Sequence, residues 1–221
     1  MITVHHLENS RSQRVLWLLE ELHVPYEVKR YERDAKTGLG PPELYDVHPL
    51  GKSPVITDGD VTVAETGAIF EYLLDTYDTA HRLHAERGTP DARAMTYWLH
   101  YAEGSAMTPL LLKLIFSTLP DRVPLLMRPL VRAVAKGAQK SFIDPRIKEH
   151  MDYLDNALAR SGWFIGDKFS AADIMLSFPL EAAASRYPLK DHPHVVKFLA
   201  HCHRRLAYQK ALETGGPYAY A

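Results

Sequence analysis

The stretch Ser53-Pro54-Val55-Ile56-Thr57-Asp58-Gly59-Asp60-Val61-Thr62-Val63-Ala64-Glu65-Thr66 decides how the first third of this chain folds. Two short β-branched runs, Val55–Thr57 and Val61–Ala64, flank Asp58-Gly59-Asp60. Asp-Gly between such runs makes a hairpin, because glycine takes up the positive φ that a tight turn needs. Two antiparallel strands are predicted. From Thr66 the period changes, and Ile69, Leu73 and Leu74 recur at helical spacing as far as Tyr77. Working back toward the N-terminus, Ile2–Leu7 opens with three β-branched residues and reads as a strand. Val15, Leu18, Leu19 and Leu22 follow at i, i+3, i+4 and i+7, the stripe of an amphipathic helix beginning at Ser12. Pro25 introduces a second strand, Tyr26–Tyr31, and Gly38–Pro42 leads into a short helical segment around Glu43–Val47.

The order is therefore β-α-β-α-β-β-α. Its opening strands are parallel through a right-handed crossover, and its closing hairpin is antiparallel. That is the thioredoxin order. The polar, turn-rich segment Asp78–Asp91 ends the unit, and beyond it the periodicity is helical throughout. A long helix is predicted over Ala92–Leu112 and another over Ile147–Leu158. Ser170 with Asp173 forms a capping box for a buried helix over Ala171–Ala183, with Phe169 and Ile174 as its hydrophobic staple. The expected fold class is an α/β thioredoxin-like N-terminal domain, residues 1–80, followed by an all-α C-terminal domain, residues 90–221.

Composition narrows the function. With 26 Lys+Arg against 27 Asp+Glu the net charge is −1. Nucleic-acid binding through bulk charge needs a basic surface, and the cluster Arg122, Arg128, Arg132 and Lys136 reads as a solvated helix face. Met1–Ser10 has neither a basic start nor a long apolar run, so no signal peptide is expected. The most apolar stretch, Pro109–Ala135, is interrupted by Lys113, Asp121, Arg122, Arg128 and Arg132, which argues against a membrane span. The one cysteine, Cys202, cannot staple a fold and points to a reducing compartment.

A thioredoxin-like unit suggests dithiol exchange, yet this one carries no cysteine, so the attacking thiolate must come from outside. His201-Cys202-His203 is not a metal site, because adjacent residues on a helix point in different directions and a zinc ion wants more ligands. No metal is expected.

Four stretches give the outside thiol a name. They are Asn9-Ser10-Arg11-Ser12-Gln13-Arg14-Val15, His48-Pro49-Leu50-Gly51-Lys52-Ser53-Pro54-Val55, Ala64-Glu65-Thr66-Gly67-Ala68-Ile69, and Gly166-Asp167-Lys168-Phe169-Ser170 through Ile174. In this order and spacing the chain resembles the glutathione S-transferases over nearly its whole length. The resemblance implies glutathione as co-substrate, a homodimer, a cytoplasmic setting, and transfer of alkyl or aryl groups to the thiol in detoxification. It also implies a cis bond at Ser53-Pro54, leaving the backbone of Ser53 to pair with the cysteinyl part of glutathione. Glu65 and Thr66, at a helix N-terminus, would take the γ-glutamyl end, with Glu65 on its ammonium group. Lys52 would reach a glutathione carboxylate.

The family activates its thiol with a tyrosine, serine or cysteine between first strand and first helix. Here Leu7-Glu8-Asn9-Ser10-Arg11-Ser12 offers neither tyrosine nor cysteine. Ser10 is the first choice and Asn9, onto which the family's serine aligns, the second; Ser12 and Arg11 remain. Against Ser10 stands a structural reading, a capping box with Gln13. Tyr101 is the residue expected to face a small hydrophobic electrophile. Glutathione-dependent peroxidase or disulfide reductase activity, or a non-catalytic binding module, are the rival functions.

Overall fold

The computed structural model describes residues 1–220. Four strands form one sheet in the order β2-β1-β3-β4, from β1 (Ile2–Leu7), β2 (Tyr26–Tyr31), β3 (Val55–Asp58) and β4 (Val61–Ala64). β1 and β2 run parallel, Ile2 opposite Tyr26 and Leu7 opposite Tyr31. β3 returns antiparallel to β1 with His5 opposite Val55, and β4 pairs with β3 with Val55 opposite Ala64. These registers bring the end of β1, the start of β3 and the end of β4 to the same edge of the sheet. Helix α1 (Ser12–Leu22) follows β1, and α2 (Thr66–Tyr77) follows β4. The 3-10 turn Pro42–Asp46 lies in the long connection from β2 to β3.

The apolar stripe of α1 predicts one buried face, but every residue of the helix except Glu21 is buried. The helix is enclosed because the sheet and α2 cover one side while the C-terminal helices cover the other. Its buried charges have partners: Glu20 accepts from Tyr26 Oη at 2.7 Å, and Arg14 reaches Glu103. One continuous core therefore runs from Val4, Leu18 and Ile69 through Trp98, Ile147 and Phe198.

The C-terminal part consists of α3 (Pro90–Tyr101), α4 (Met107–Thr118), α5 (Arg128–Ala138), α6 (Asp144–Leu158), α7 (Ala171–Ala184), α8 (Pro193–His203) and α9 (Leu206–Gly215). The helix predicted over Ala92–Leu112 starts two residues earlier, where the Thr89 hydroxyl accepts the Ala92 N–H at 3.1 Å. It is broken by a π-turn over Ala102–Ala106, whose Met107 N–H bonds the Ala102 carbonyl. A second π-turn, Gln139–Ile143, joins α5 to α6, so the helix predicted from Ile147 starts at Asp144. α7 has the predicted capping box, and Asp173 also accepts the Phe164 N–H at 3.0 Å. Phe169, expected as a staple, lies against the rings of Trp17 and Trp163. No described helix is long and apolar enough to cross a membrane. The α/β thioredoxin-like unit followed by helices is the fold class read from the sequence.

Candidate functional site

The shared sheet edge carries three of the four quoted stretches. After β1 the chain enters the loop 8–11 with Asn9 at φ 48°, a left-handed conformation that asparagine tolerates. The Asn9 carboxamide oxygen accepts the Ala219 N–H at 2.7 Å, which fixes the amide: an N–H faces the oxygen, and the NH2 group has no partner among the described residues.

Ser10 is buried, and it is not the cap predicted for Gln13. The residue capping α1 is Arg11, with no side-chain bond, while Ser10 Oγ accepts the Ser12 N–H at 3.2 Å and lies 2.7 Å from Ser12 Oγ. Ser12 Oγ lies 2.8 Å from His6 Nδ1 and 3.3 Å from the Leu7 carbonyl. Burial, aided by nearby Arg30, holds the His6 pKa down at about 4, and the ring is neutral. In the Ser10–Ser12 and Ser12–His6 contacts either partner can be the donor, and together they engage the Ser10 hydroxyl inside the protein.

This chain has a measurable pH signature. The unfolded chain protonates His6 below about 6.5, whereas the folded protein resists until about 4. A depressed histidine pKa favours the fold at higher pH and loses that contribution as pH falls from about 6.5 to about 4. In urea titrations the parent's advantage over His6→Asn should shrink by up to about 3 kcal/mol between pH 7 and 4, at about 1.4 kcal/mol per pKa unit. A difference independent of pH would remove the buried neutral imidazole.

At the start of β3 the Ser53-Pro54 bond is cis. Ser53 Oγ donates to the His5 carbonyl at 2.8 Å and accepts the Leu7 N–H at 3.2 Å, so the side chain takes the ladder position beside β1. The backbone N–H and C=O of Ser53 have no hydrogen-bond partner among the described residues. Lys52 is exposed and lines an open cavity of about 500 Å³ together with Arg33, Tyr45 and Gly51. At the end of β4, Glu65 has φ 71°, a conformation costing about 1–3 kcal/mol for a residue of its kind and concentrated at ligand clamps. Thr66 opens α2 and is buried. The amides of Thr66, Gly67 and Ala68 precede the first helical bond, Ile69 N–H to Glu65 C=O at 2.9 Å, and offer an anion site.

Arg14 ties this edge to the helical domain. Its guanidinium, 1% exposed, donates to the Met175 carbonyl at 2.7 Å and to Glu103 Oε1 at 2.5 Å, and lies 3.5 Å from Thr66 Oγ1. Arg11 Nε meets the other Glu103 oxygen at 3.0 Å. Tyr101, by contrast, is not brought to the edge. Its hydroxyl bonds His150 Nδ1 at 2.6 Å and its ring packs with Tyr97, Trp98 and Tyr153 between α3 and α6. The side chains of His201-Cys202-His203 diverge: His201 faces Trp163, Cys202 is buried with its thiol pKa raised by burial, and His203 pairs with Glu181 at 3.1 Å. Among the described residues no cluster of three or more His, Cys, Asp or Glu is arranged to hold a metal. His6, Arg14, Glu103 and Ala219 were not singled out as site residues from the sequence. Arg14 lay inside a quoted stretch; Ala219, a backbone contact 210 positions from its partner, left no signal.

The profile of the glutathione S-transferase N-terminal domain matches residues 1–75, and that of the C-terminal domain matches residues 135–201. The chain belongs to the glutathione S-transferase family. It is 36% identical to glutathione S-transferase 1 of Saccharomyces cerevisiae over 209 residues, covering 90% of this chain and 88% of that protein. It is also 36% identical to glutathione S-transferase 3 of Schizosaccharomyces pombe over 187 residues, 85% of this chain and 76% of that protein. A crystal structure of a glutathione S-transferase from Actinobacillus pleuropneumoniae superposes with a TM-score of 0.83 at 32% identity, covering 100% of this chain and 95% of the other. The fold of URE2P8 from Phanerochaete chrysosporium, solved with oxidized glutathione, matches with a TM-score of 0.78 at 19% identity, covering 97% and 94%. The two solved structures thus share the overall fold of this chain.

Proposed function

We propose that this family member binds glutathione along the sheet edge and activates its thiol for attack on a small hydrophobic electrophile. The observation that carries the reading is the contrast between Asn9 and Ser10. Among the described residues the Asn9 NH2 group has no partner, while the Ser10 hydroxyl is paired with Ser12. Asn9, the second choice from sequence, becomes the preferred thiolate donor and Ser10 its support. Ser53 supplies the unpaired backbone for the cysteinyl part, the α2 N-terminus with Thr66 takes the γ-glutamyl carboxylate, Glu65 its ammonium group, and Lys52 the glycyl carboxylate. The Tyr101 hydroxyl is bonded to His150 and is not offered to the thiol in this reading.

The thiol proton leaves to solvent. The thiolate sulfur then forms a C–S bond with the electrophile, whose leaving group departs with the bonding pair. Lowering a thiol pKa of about 8.5 by two units needs about 2.7 kcal/mol. One hydrogen bond to a charged acceptor supplies about 1.5–3 kcal/mol, and the α1 N-terminus adds a few tenths to one. A carboxamide donor is sufficient. A cytoplasmic homodimer, with the N-terminal domain of one subunit against the helical domain of the other, belongs to the same proposal. The same thiolate would serve peroxide or disulfide reduction. The free amides of Thr66, Gly67 and Ala68 weigh against a non-catalytic module, which has no use for a peptide-carboxylate site.

Glutathione at a hundred times its Kd should stabilise the parent by about 2.7 kcal/mol, and Glu65→Ala should abolish that shift while leaving the fold intact. In the binary complex, Asn9→Ala should move the thiolate absorbance titration to higher pH, with a smaller movement in Ser10→Ala. Equal midpoints in Asn9→Ala and the parent would take Asn9 out of the thiolate site.

A further inference from the structure

The segment after α9 touches the loop that follows β1 although some two hundred residues separate them in sequence. α9 ends at Gly215, and Gly216, at φ 82°, turns the chain out of the helix. Gly215 lies so close to α1 that a Cβ there would sit 2.5 Å from Gln13 Oε1 and 2.9 Å from Leu16 Cδ1. The residues beyond are anchored twice. Tyr218 Oη donates to Glu181 Oε2 at 2.6 Å, and this buried carboxylate also accepts from Tyr208 Oη at 2.8 Å. Tyr220 Oη accepts from Arg186 Nη2 at 3.1 Å, and its ring packs edge-on against Phe178. Between the two anchors the Ala219 N–H meets the Asn9 carboxamide oxygen.

We infer that this C-terminal strap is a working part of the thiol site, with the Ala219 N–H as the positioning group that orients the Asn9 carboxamide toward glutathione. An unrestrained carboxamide can present either its oxygen or its NH2 group to a neighbour, and the two are opposite in their effect on a thiolate. An oxygen beside sulfur repels the anion, whereas an N–H stabilises it. An amide N–H can face only the oxygen, so Ala219 selects the orientation in which the NH2 group is left for the sulfur. Tyr218 and Tyr220, on either side of Ala219, keep that backbone group in place.

The inference rests on the reading of Asn9 as thiolate donor, and the test separates the two. Ala219→Pro removes one N–H from an exposed chain segment, and Ala219→Gly keeps it. The thiolate absorbance of the glutathione complex is titrated against pH for both, beside the parent and Asn9→Ala, with the glutathione-induced rise in Tm recorded for each. Loss of one hydrogen bond at about 0.5–1.5 kcal/mol corresponds to a midpoint about half a unit to one unit higher in Ala219→Pro. Ala219→Gly should match the parent, and both variants should keep the rise in Tm. A midpoint unchanged in Ala219→Pro but raised in Asn9→Ala overturns the strap's role and leaves Asn9 in place. Equal rises in the proline and glycine variants assign the effect to chain flexibility and also overturn it. An unchanged midpoint in Asn9→Ala overturns the donor reading, and the strap's role with it.

Discussion

Arg14→Met should lower the unfolding free energy by about 3 kcal/mol, the lower end of the 3–5 kcal/mol expected when one partner of a buried ion pair is removed. The lower end applies because the Glu103 side chain keeps 28% of its surface exposed. Methionine fills much of the space between α1 and α7, so the loss is electrostatic rather than a cavity. Glu103 would keep only the half-exposed Arg11, and the Met175 carbonyl would lose its donor. Burial pushes the Glu103 pKa up, but Arg14 and Arg11 together outweigh it and hold the carboxyl below its ordinary range. A depressed carboxyl pKa favours the fold at neutral pH and loses that contribution as pH falls. The deficit of Arg14→Met should therefore narrow in acid, where Glu103 can take up a proton. Glu103→Gln added to Arg14→Met should recover part of the loss, since the stranded charge is gone and contacting residues couple. A single-variant loss under about 1 kcal/mol in urea would mean that the pair does not hold the two domains together.

Asp173→Ala should destabilise the protein by about 3–5 kcal/mol. The carboxylate has no exposed surface and accepts from the Ser170 N–H at 2.7 Å, the Ser170 hydroxyl at 2.9 Å and the Phe164 N–H at 3.0 Å. Each buried donor left unmatched costs about 1–3 kcal/mol, and only the serine hydroxyl can turn to another partner. Two connections are cut at once: the start of α7, and the tie from α7 to the turn that seats Phe164 against Trp98. For a chain of this length each kcal/mol is worth roughly 2–4 °C in Tm. Thermal unfolding should thus fall by about ten degrees. A fall of one or two degrees would show that the box is replaceable by water.

The N-terminal fold was legible because its signals are local: the Asp58-Gly59 turn, the change of period at Thr66, and Pro25 before β2. The helical domain was legible in class but not in detail. Thr89 capping α3 is a local cue, yet the π-turns leave none, since an added residue only shifts the phase of an already apolar helix. In the site, the residue types in the quoted stretches pointed to the sheet edge, but local spacing does not distinguish Ser10 from Asn9: what sets them apart is the contact of Ser10 with Ser12 and that of Asn9 with Ala219, 210 positions away. Helical spacing puts Tyr101 on the same side as Trp98, and both rings meet Tyr153 of α6.

The π-turn at Ala102–Ala106 has a consequence for how this chain is compared with its relatives. Each residue advances a helix by about 100°, so the extra residue in the turn rotates everything after it relative to everything before. Glu103, inside the turn, meets Arg14, while Trp98 and Tyr101 before it face α6. A homologue whose helix runs through as plain α carries one residue fewer here. Its sequence should align with a single-position gap between 102 and 106, and forcing an ungapped match would place the wrong side chains opposite Leu110 and the rest of α4. Residue-by-residue transfer of pocket assignments past this point should be made only after that gap is set.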